Sequence, residues 1–355
     1  VDSGLSDDFE TTLPIPRDGT NSGVQHLSGM TRDRREAALV NLVPGEEGQD
    51  AYAKVAGAVE EAMRYEVASE GEKADLAQKY LAFEGVPRGL AKRPVMTYSY
   101  SSGRWGFRSQ ILADYMDPLE ERVLAGDLGD HPFGVEEEIK SSASFAASLI
   151  YTEVQTMLSS ASAVMRWLTH VASTLAHQGK PVRWKTPVGF EVEHRYQEWQ
   201  TDRRELAFRG AKLPVLGGDA SEDAGLVERI SCSIRLTPLQ KIKKEKQRNA
   251  IAPNFVHSQD SSHLLMVALR VVEEGIEDFL MIHDSFATHA GDAGRFGEII
   301  LEEFVRLYTE FDGLDRVYRQ AWEDLSEKGR KKLQRPPERG TWDVREALRA
   351  TRAFA

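Results

Sequence analysis

The stretch FLMIHDSFAT, Phe279 to Thr288, sets a histidine and an aspartate side by side inside an apolar run. Four apolar residues precede His283 and Asp284 and Phe286 follows, so the pattern is that of a strand about to be buried. Burying an ionisable pair is costly unless its charge is compensated. Any fold for this chain must therefore bring a compensating group to that spot, and a functional site is the reading that follows.

A second carboxylate stands near the start. LPIPRDGTNSGVQHLSGM puts Asp18 at the end of a short apolar-edged stretch, then Gly19, then a helical pattern. A carboxylate at a strand end, beside a glycine whose carbonyl can come close, suits an oxygen site for Mg²⁺. A turn aspartate fits the same residues. Asp284 lies 266 positions later (284 − 18). If the two strands pair, the carboxylates converge as a two-metal phosphoryl-transfer site requires, with ions about 3.5 to 4 Å apart.

Between them lies RGLAKRPVMTYSYSSGRWGFR. Arg88 and Lys92 are four apart and share one face of a helix, and Tyr100 follows about two turns later. Cations at one end and an aromatic ring at the other can grip a triphosphate and cover its sugar and base. An amphipathic helix with a solvated basic edge fits the same pattern.

The chain has 355 residues, 41% hydrophobic and 28% charged, enough for a sizeable core in one large or two to three smaller subdomains. Cys232 is the only cysteine, which excludes a disulfide framework or a thiolate cluster for zinc. No run approaches 18 uninterrupted apolar residues and VDSGLSDDFE does not resemble a signal peptide, so a cytoplasm-like compartment and no membrane partner are expected. The net charge of −11 opposes non-specific nucleic-acid binding, yet the basic residues are concentrated. Val86 to Arg108 holds Arg88, Lys92, Arg93, Arg104 and Arg108 without an acid, and KIKKEKQR, Lys241 to Arg248, has five basic residues against Glu245. Solvated basic faces, or local grips on a polyanion, both fit.

Helical periodicity is clear in DAYAKVAGAVEEAMRY from Asp50, in the long segment from Ser141 to Gln178, and in HLLMVALRVVEE from His263, which Asp260 could cap. From Pro181 to about Leu239, alternating residues around LGGDASEDAG, Leu216 to Gly225, predict two strands with an acidic tip. The tail is helical with a break at RPPERG, Arg335 to Gly340. The fold class is α+β, predominantly helical.

RDGTNSGVQHLSGM, RGLAKRPVMTYSYSSGRWGFR, IAPNFVHSQDSSHL and LMIHDSF, in that order, resemble the signatures of the single-subunit RNA polymerase family of bacteriophages and mitochondria. The resemblance runs from about Leu13 to Ala355 and covers the C-terminal part of the family's full length. It implies a right-hand polymerase with palm (1–66 and 251–355), fingers (67–180) and a protruding DNA-facing β-hairpin region (181–250). Asp18 and Asp284 would bind two Mg²⁺ ions with help from the Gly19 carbonyl, and His283 would pack beside them at a hairpin turn. Arg88 and Lys92 would hold the triphosphate, with Lys92 passing a proton to pyrophosphate. Tyr100 and His257 would monitor the ribose 2′-OH. Arg203, Arg204, Arg209, Arg229 and Arg235 on the hairpin would touch DNA.

The implied activity is DNA-directed RNA synthesis, with DNA template, RNA product and ribonucleoside triphosphates as partners. The N-terminal domain and thumb would come from a second polypeptide, or this chain would be a piece of a longer one. A family A-like DNA polymerase is disfavoured because DGTNSGVQH lacks a glutamate after the aspartate. An HD-type metal phosphohydrolase would need further upstream histidines on a helical bundle. The chain departs from the family at Ser101, where glycine is usual, and at Pro94 inside the expected fingers helix. Proline costs a helix interior about 3 kcal/mol, so that helix is expected to start near Arg93 or to kink there. The acidic tip Leu216 to Gly225 suits phosphate contact poorly.

Overall fold

The computed structural model describes residues 12–45, 47–208 and 228–354. The chain opens on β1 (Ile15–Asp18), then α1 (Ser22–Thr31), α2 (Arg34–Leu39), α3 (Ala51–Ala68) and α4 (Ala74–Phe83). Next come α5 (Arg88–Tyr98), α6 (Arg104–Ile111), a π-helical turn (Leu112–Met116), α7 (Asp117–Leu124), α8 (Glu136–Met157) and α9 (Ser159–His177). β2 (Val182–Lys185) pairs antiparallel with β3 (Glu191–His194), and β4 (Gln197–Phe208) with β5 (Glu228–Ile242). α10 (Lys244–Glu273) leads into β6 (Phe279–Ile282) and β7 (Ser285–Thr288). α11 (Ala293–Glu310), α12 (Gly313–Asp324), α13 (Glu327–Arg330) and a 3₁₀ turn (Val344–Arg349) close the chain. This is a mostly helical α+β chain with small antiparallel sheets. Among the described residues no helix is long and apolar enough to cross a membrane.

The centre of the molecule is α1, all ten of whose residues are buried. It packs against α2, α9, α10 and α11. Asn21 starts it by accepting from the Val24 amide, and Asp50 starts α3 by accepting from the Tyr52 and Ala53 amides, as side chains of this kind do at helix N-termini. β1, β7 and β6 form one three-stranded antiparallel sheet in the order β1-β7-β6. Asp18 pairs with Ser285, and the Gly19 amide donates to the Asp284 carbonyl at 3.1 Å.

Several sequence expectations change in three dimensions. FLMIHDSFAT is not one buried strand: it turns back at His283–Asp284, and Leu280 and Ile282 are exposed. Successive side chains of a strand point to opposite faces, so only Phe279 and Met281 of the edge strand β6 pack against the core. β1 pairs with β7, not with the apolar β6. The segment from Ser141 to Gln178 is two helices, broken at Leu158, whose backbone (φ −112, ψ 50) leaves the helical region. Asp260 does not cap a helix but lies inside the 30-residue α10. Among the described residues the region 181–250 holds four strands where two were expected. The helix bearing Arg88 begins there, not near Arg93, and runs through Pro94. Pro94 is buried with Leu90, Ala91 and Val95, and that packing offsets its missing hydrogen bond. The acidic tip Leu216 to Gly225 lies outside the described residues.

The break at Leu158 is held by a buried carboxylate. Glu36, 1% exposed on α2, accepts from the Ser160 amide at 2.7 Å and from the Ala161 amide at 3.1 Å, and so caps α9 from another helix. Burial outweighs these bonds and pushes its carboxyl up to about 7. Glu36→Ala strands two buried amides and should lower unfolding stability by about 2 to 3 kcal/mol, read as a reduced urea midpoint at unchanged slope.

Candidate active site

A cleft of about 720 Å³ opens between the three-stranded sheet, the N-terminal ends of α1 and α3, and α5 with the turn that follows it. Asp18, Gly19, Arg88, Lys92, Tyr100, His257, His283 and Asp284 all line it. The fold thus brings these residues together from segments hundreds of positions apart.

Asp18 ends β1, and Asp284 sits in the tight turn joining β6 to β7. His283 holds that turn with φ 56, a left-handed conformation uncommon outside glycine. Burial pushes the Asp18 carboxyl up. It does the same to Asp284, and the charges of Asp18 and Asp260 add to the effect. Among the described residues neither carboxylate has an ion-pair partner, and each like charge disfavours ionisation of the other.

The surroundings fit a divalent cation. A Cβ at Gly19 would stand 3.0 Å from Gln25 Oε1 and 3.3 Å from Asp284 Oδ2, so glycine keeps this space open. Gln25 Oε1 is buried without a hydrogen-bond partner. The Asp18 and Asp284 carboxylates and Gln25 Oε1 are hard oxygens of the kind Mg²⁺ prefers. Among the described residues no three His, Cys, Asp or Glu side chains gather to hold an ion. The protein's own donors are thus two carboxylates and carbonyls, which leaves coordination positions for water and substrate oxygens.

On the opposite wall Arg88 and Lys92 share one face of α5. Arg88 is paired with Asp50 and lies 5.0 Å over the Tyr52 ring, whereas Lys92 has no ion-pair partner among the described residues. Tyr100 lies just beyond the helix end, in a turn closed by bonds from the Tyr100 amide to Thr97 and from the Ser101 amide to Tyr98. Its ring stacks on His257 at 4.4 Å and 7°. Burial, with the charges of Asp260 and Asp284, pushes its hydroxyl up to about 12, which keeps it protonated. Gly23 lets α1 approach this turn, since a Cβ there would lie 2.2 Å from Ser99 Oγ and 3.3 Å from Tyr100 Cζ.

The hairpin arginines stand apart from the cleft. Arg203, Arg204 and Arg235 are exposed on β4 and β5. Arg203 donates to Ser231 Oγ, and Arg204 is paired with Asp202. Arg229 is placed on β5 opposite Ala207, and Arg209 lies outside the described residues.

The sequence reading missed the floor of the cleft. Ser22 Oγ donates to Asp260 Oδ1 at 2.6 Å, and His26 Nε2 stands 3.3 Å from the same oxygen. Burial alone pushes the Asp260 carboxyl up, but the bonds from His26 and Ser22 prevail and hold it down at about 2. His263, beside His26, donates through Nε2 to the Ile300 carbonyl. The signal was present in the polar residues of the quoted motifs; the one-dimensional pattern did not say they were buried.

The DNA-dependent RNA polymerase family profile matches residues 1–354. The chain is 33% identical to the DNA-directed RNA polymerase of Enterobacteria phage T3 across 99% of its length, covering 41% of that protein. It is 32% identical to the mitochondrial DNA-directed RNA polymerase of Mus musculus across 97% of its length, covering 26% of it. Against DNA-directed RNA polymerase 2A of Nicotiana tabacum it is 31% identical, with 96% of the chain and 92% of the relative covered. The chain belongs to the DNA-dependent RNA polymerase family, of the single-subunit type shared by phages and mitochondria. It spans less than half the length of the phage T3 and mouse relatives.

Two consequences can be measured. Ser101 has φ 65, so Ser101→Gly should relieve left-handed strain and raise stability by about 1 kcal/mol, seen as a higher melting temperature. Complete burial pushes the His263 imidazole down to about 3, with the His26 charge adding to it. The folded chain then refuses a proton that the unfolded chain accepts below about pH 6.5, so stability is lost as pH falls through that value toward 3. Between pH 7 and 5 this amounts to about 2 kcal/mol, and urea midpoints at the two pH values should differ less in His263→Gln.

Proposed function

We propose that this chain is the catalytic portion of a DNA-directed RNA polymerase, adding ribonucleotides to RNA on a DNA template. The observation that carries this reading is one cleft in which two carboxylates without ion-pair partners among the described residues face two cations and a ring stack. The phage T3, mouse and tobacco relatives bear that activity in their names. In this reading the sheet β1-β7-β6 with α10 and α11 forms the palm (1–66 and 251–355), and α4 to α9 form the fingers (67–180). The β4–β5 pair, within 181–250, would face DNA through Arg203, Arg204 and Arg235.

Asp18 and Asp284, with the Gly19 carbonyl, would hold two Mg²⁺ ions. Bound there, such ions supply charge neutralisation at the attacking and leaving oxygens. Arg88 and Lys92 orient the triphosphate along α5, where Arg88 must exchange Asp50 for phosphate. In this reading the Lys92 ammonium, which lines the cleft, gives a proton to the departing pyrophosphate. Tyr100, stacked on His257, covers the sugar. Phosphoryl transfer asks chiefly for positioning and electrostatic compensation, and this residue set supplies both.

Asp284→Asn and Asp18→Asn are the test. Each should abolish Mn²⁺ binding, measured by electron paramagnetic resonance, together with primed-template extension. Each should leave the melting temperature unchanged or higher, because one of two repelling charges is gone. Either variant binding Mn²⁺ as the wild type does would remove the metal assignment. Incorporation of deoxynucleotides in preference to ribonucleotides would instead favour a DNA polymerase.

A further inference from the structure

The C-terminal half of α9 and the segment around α13 enclose a cavity of about 430 Å³ that shares no residue with the candidate active site. α9 contributes His170, Ser173 and His177, which fall on one face because they are spaced by three and four positions. Lys328 and Lys332 line the cavity from the other segment. No carboxylate and no wholly apolar side chain lines it, although the chain carries a net charge of −11. Liquid water would fill that volume with about fourteen molecules, so there is room for more than a single ion.

Bonds between the two segments fix the walls. Gln178 Nε2 donates to Ser326 Oγ at 2.9 Å, and Gln178 Oε1 accepts from the Ser326 amide at 3.0 Å. Gly329 leaves room for that side chain, since a Cβ there would lie 2.3 Å from Gln178 Nε2. His170 Nε2 donates to the Lys332 carbonyl at 2.9 Å, and His177 Nδ1 to the Ser173 carbonyl at 2.7 Å. One nitrogen of each ring is thus spent on the wall and the other is left over. The Ser173 hydroxyl and the Lys328 and Lys332 ammonium groups have no hydrogen-bond or ion-pair partner among the described residues. Neighbouring cations outside the cavity are engaged: Lys331 pairs with Glu327 at 3.0 Å, and Arg330 lies 5.6 Å over the Trp322 ring.

Two ammonium groups in an acid-free hollow repel each other, and a concave wall of one sign concentrates its field on whatever enters. A phosphate oxygen there gains charge-assisted bonds from donors that the described residues leave unclaimed. We propose that this cavity is a second anion site, separate from the cleft, which takes consecutive phosphate groups between Lys328 and Lys332 on one side and Ser173 and His177 on the other. The lining offers donors and no apolar surface for a base, so the site reads phosphates and not what they carry. A free polyphosphate and the sugar–phosphate backbone of a single strand both present that chemistry. The inference stands apart from the catalytic reading, because it uses none of the cleft's residues.

The test is calorimetric titration of the purified chain with sodium tripolyphosphate, without metal, beside fluorescence anisotropy of a labelled oligothymidylate. Both are repeated on Lys92→Ala, which disables the cleft and leaves the cavity intact. Binding should persist in Lys92→Ala and weaken by about tenfold or more in the double variant Lys328→Gln/Lys332→Gln, which loses two charge-assisted bonds. Lys331→Gln removes the same charge from a paired neighbour and should change affinity by less than about twofold. Oligothymidylate displacing tripolyphosphate, with a log–log salt slope flatter by about 1.4 in the double variant, identifies a strand backbone as the occupant, since each phosphate contact on a single strand contributes about 0.7. Tripolyphosphate binding that the oligonucleotide does not compete for identifies a free polyphosphate. The proposal is overturned if neither probe binds, if the double variant binds as the wild type does, if Lys331→Gln weakens binding as much as the double variant, or if Lys92→Ala abolishes all binding.

Discussion

The burial of α1 is the constraint on which the rest of the molecule turns. A helix with every residue out of water must find partners for its polar side chains, each unmade bond costing about 1 to 3 kcal/mol. Ser22 finds Asp260 of α10 and His26 finds Tyr308 of α11. Gln25 donates to the carbonyls of Val40 and Ala353. Those bonds span up to 328 positions in sequence and gather the long helices and the chain's end around one axis. Because α1 begins four residues after Asp18, satisfying it also decides where the first carboxylate stands.

The cleft is a by-product of that gathering. β7 lies between β1 and β6, so the turn that carries Asp284 is drawn beside the end of β1. Local strain accompanies the placement: His283 and Ser101 both take left-handed backbone conformations, one beside Asp284 and one directly after Tyr100. Non-glycine residues in that region persist only where surrounding contacts over-determine them.

Charge is organised on the same plan. The chain is acidic at −11, yet its basic zone meets acids supplied by other segments, Arg88 with Asp50 and Arg93 with Asp114. Both pairs are solvent-accessible, and pairs of that kind contribute little to stability. A polyanionic ligand can therefore displace the acid without unfolding anything. Lys92 lacks such a partner among the described residues and faces the cleft already available.

Much of the site was legible in one dimension because its local chemistry is short-range. An aspartate followed by glycine at a strand end, and an arginine and a lysine four apart on one helix face, are geometric statements about a few residues; Asp18, Arg88 and Lys92 were singled out that way. What sequence could not decide was long-range. Whether α8 and α9 are one helix depends on Glu36, more than a hundred residues away, reaching the amides of Ser160 and Ala161. Whether Asp260 is a cap or a buried anchor depends on Ser22 and His26 arriving beside it. Local propensity settled which residues could do chemistry. Only tertiary packing settled which of them share a cleft and which way their hydrogen bonds run, because a buried polar group takes its partner from whatever segment packs against it.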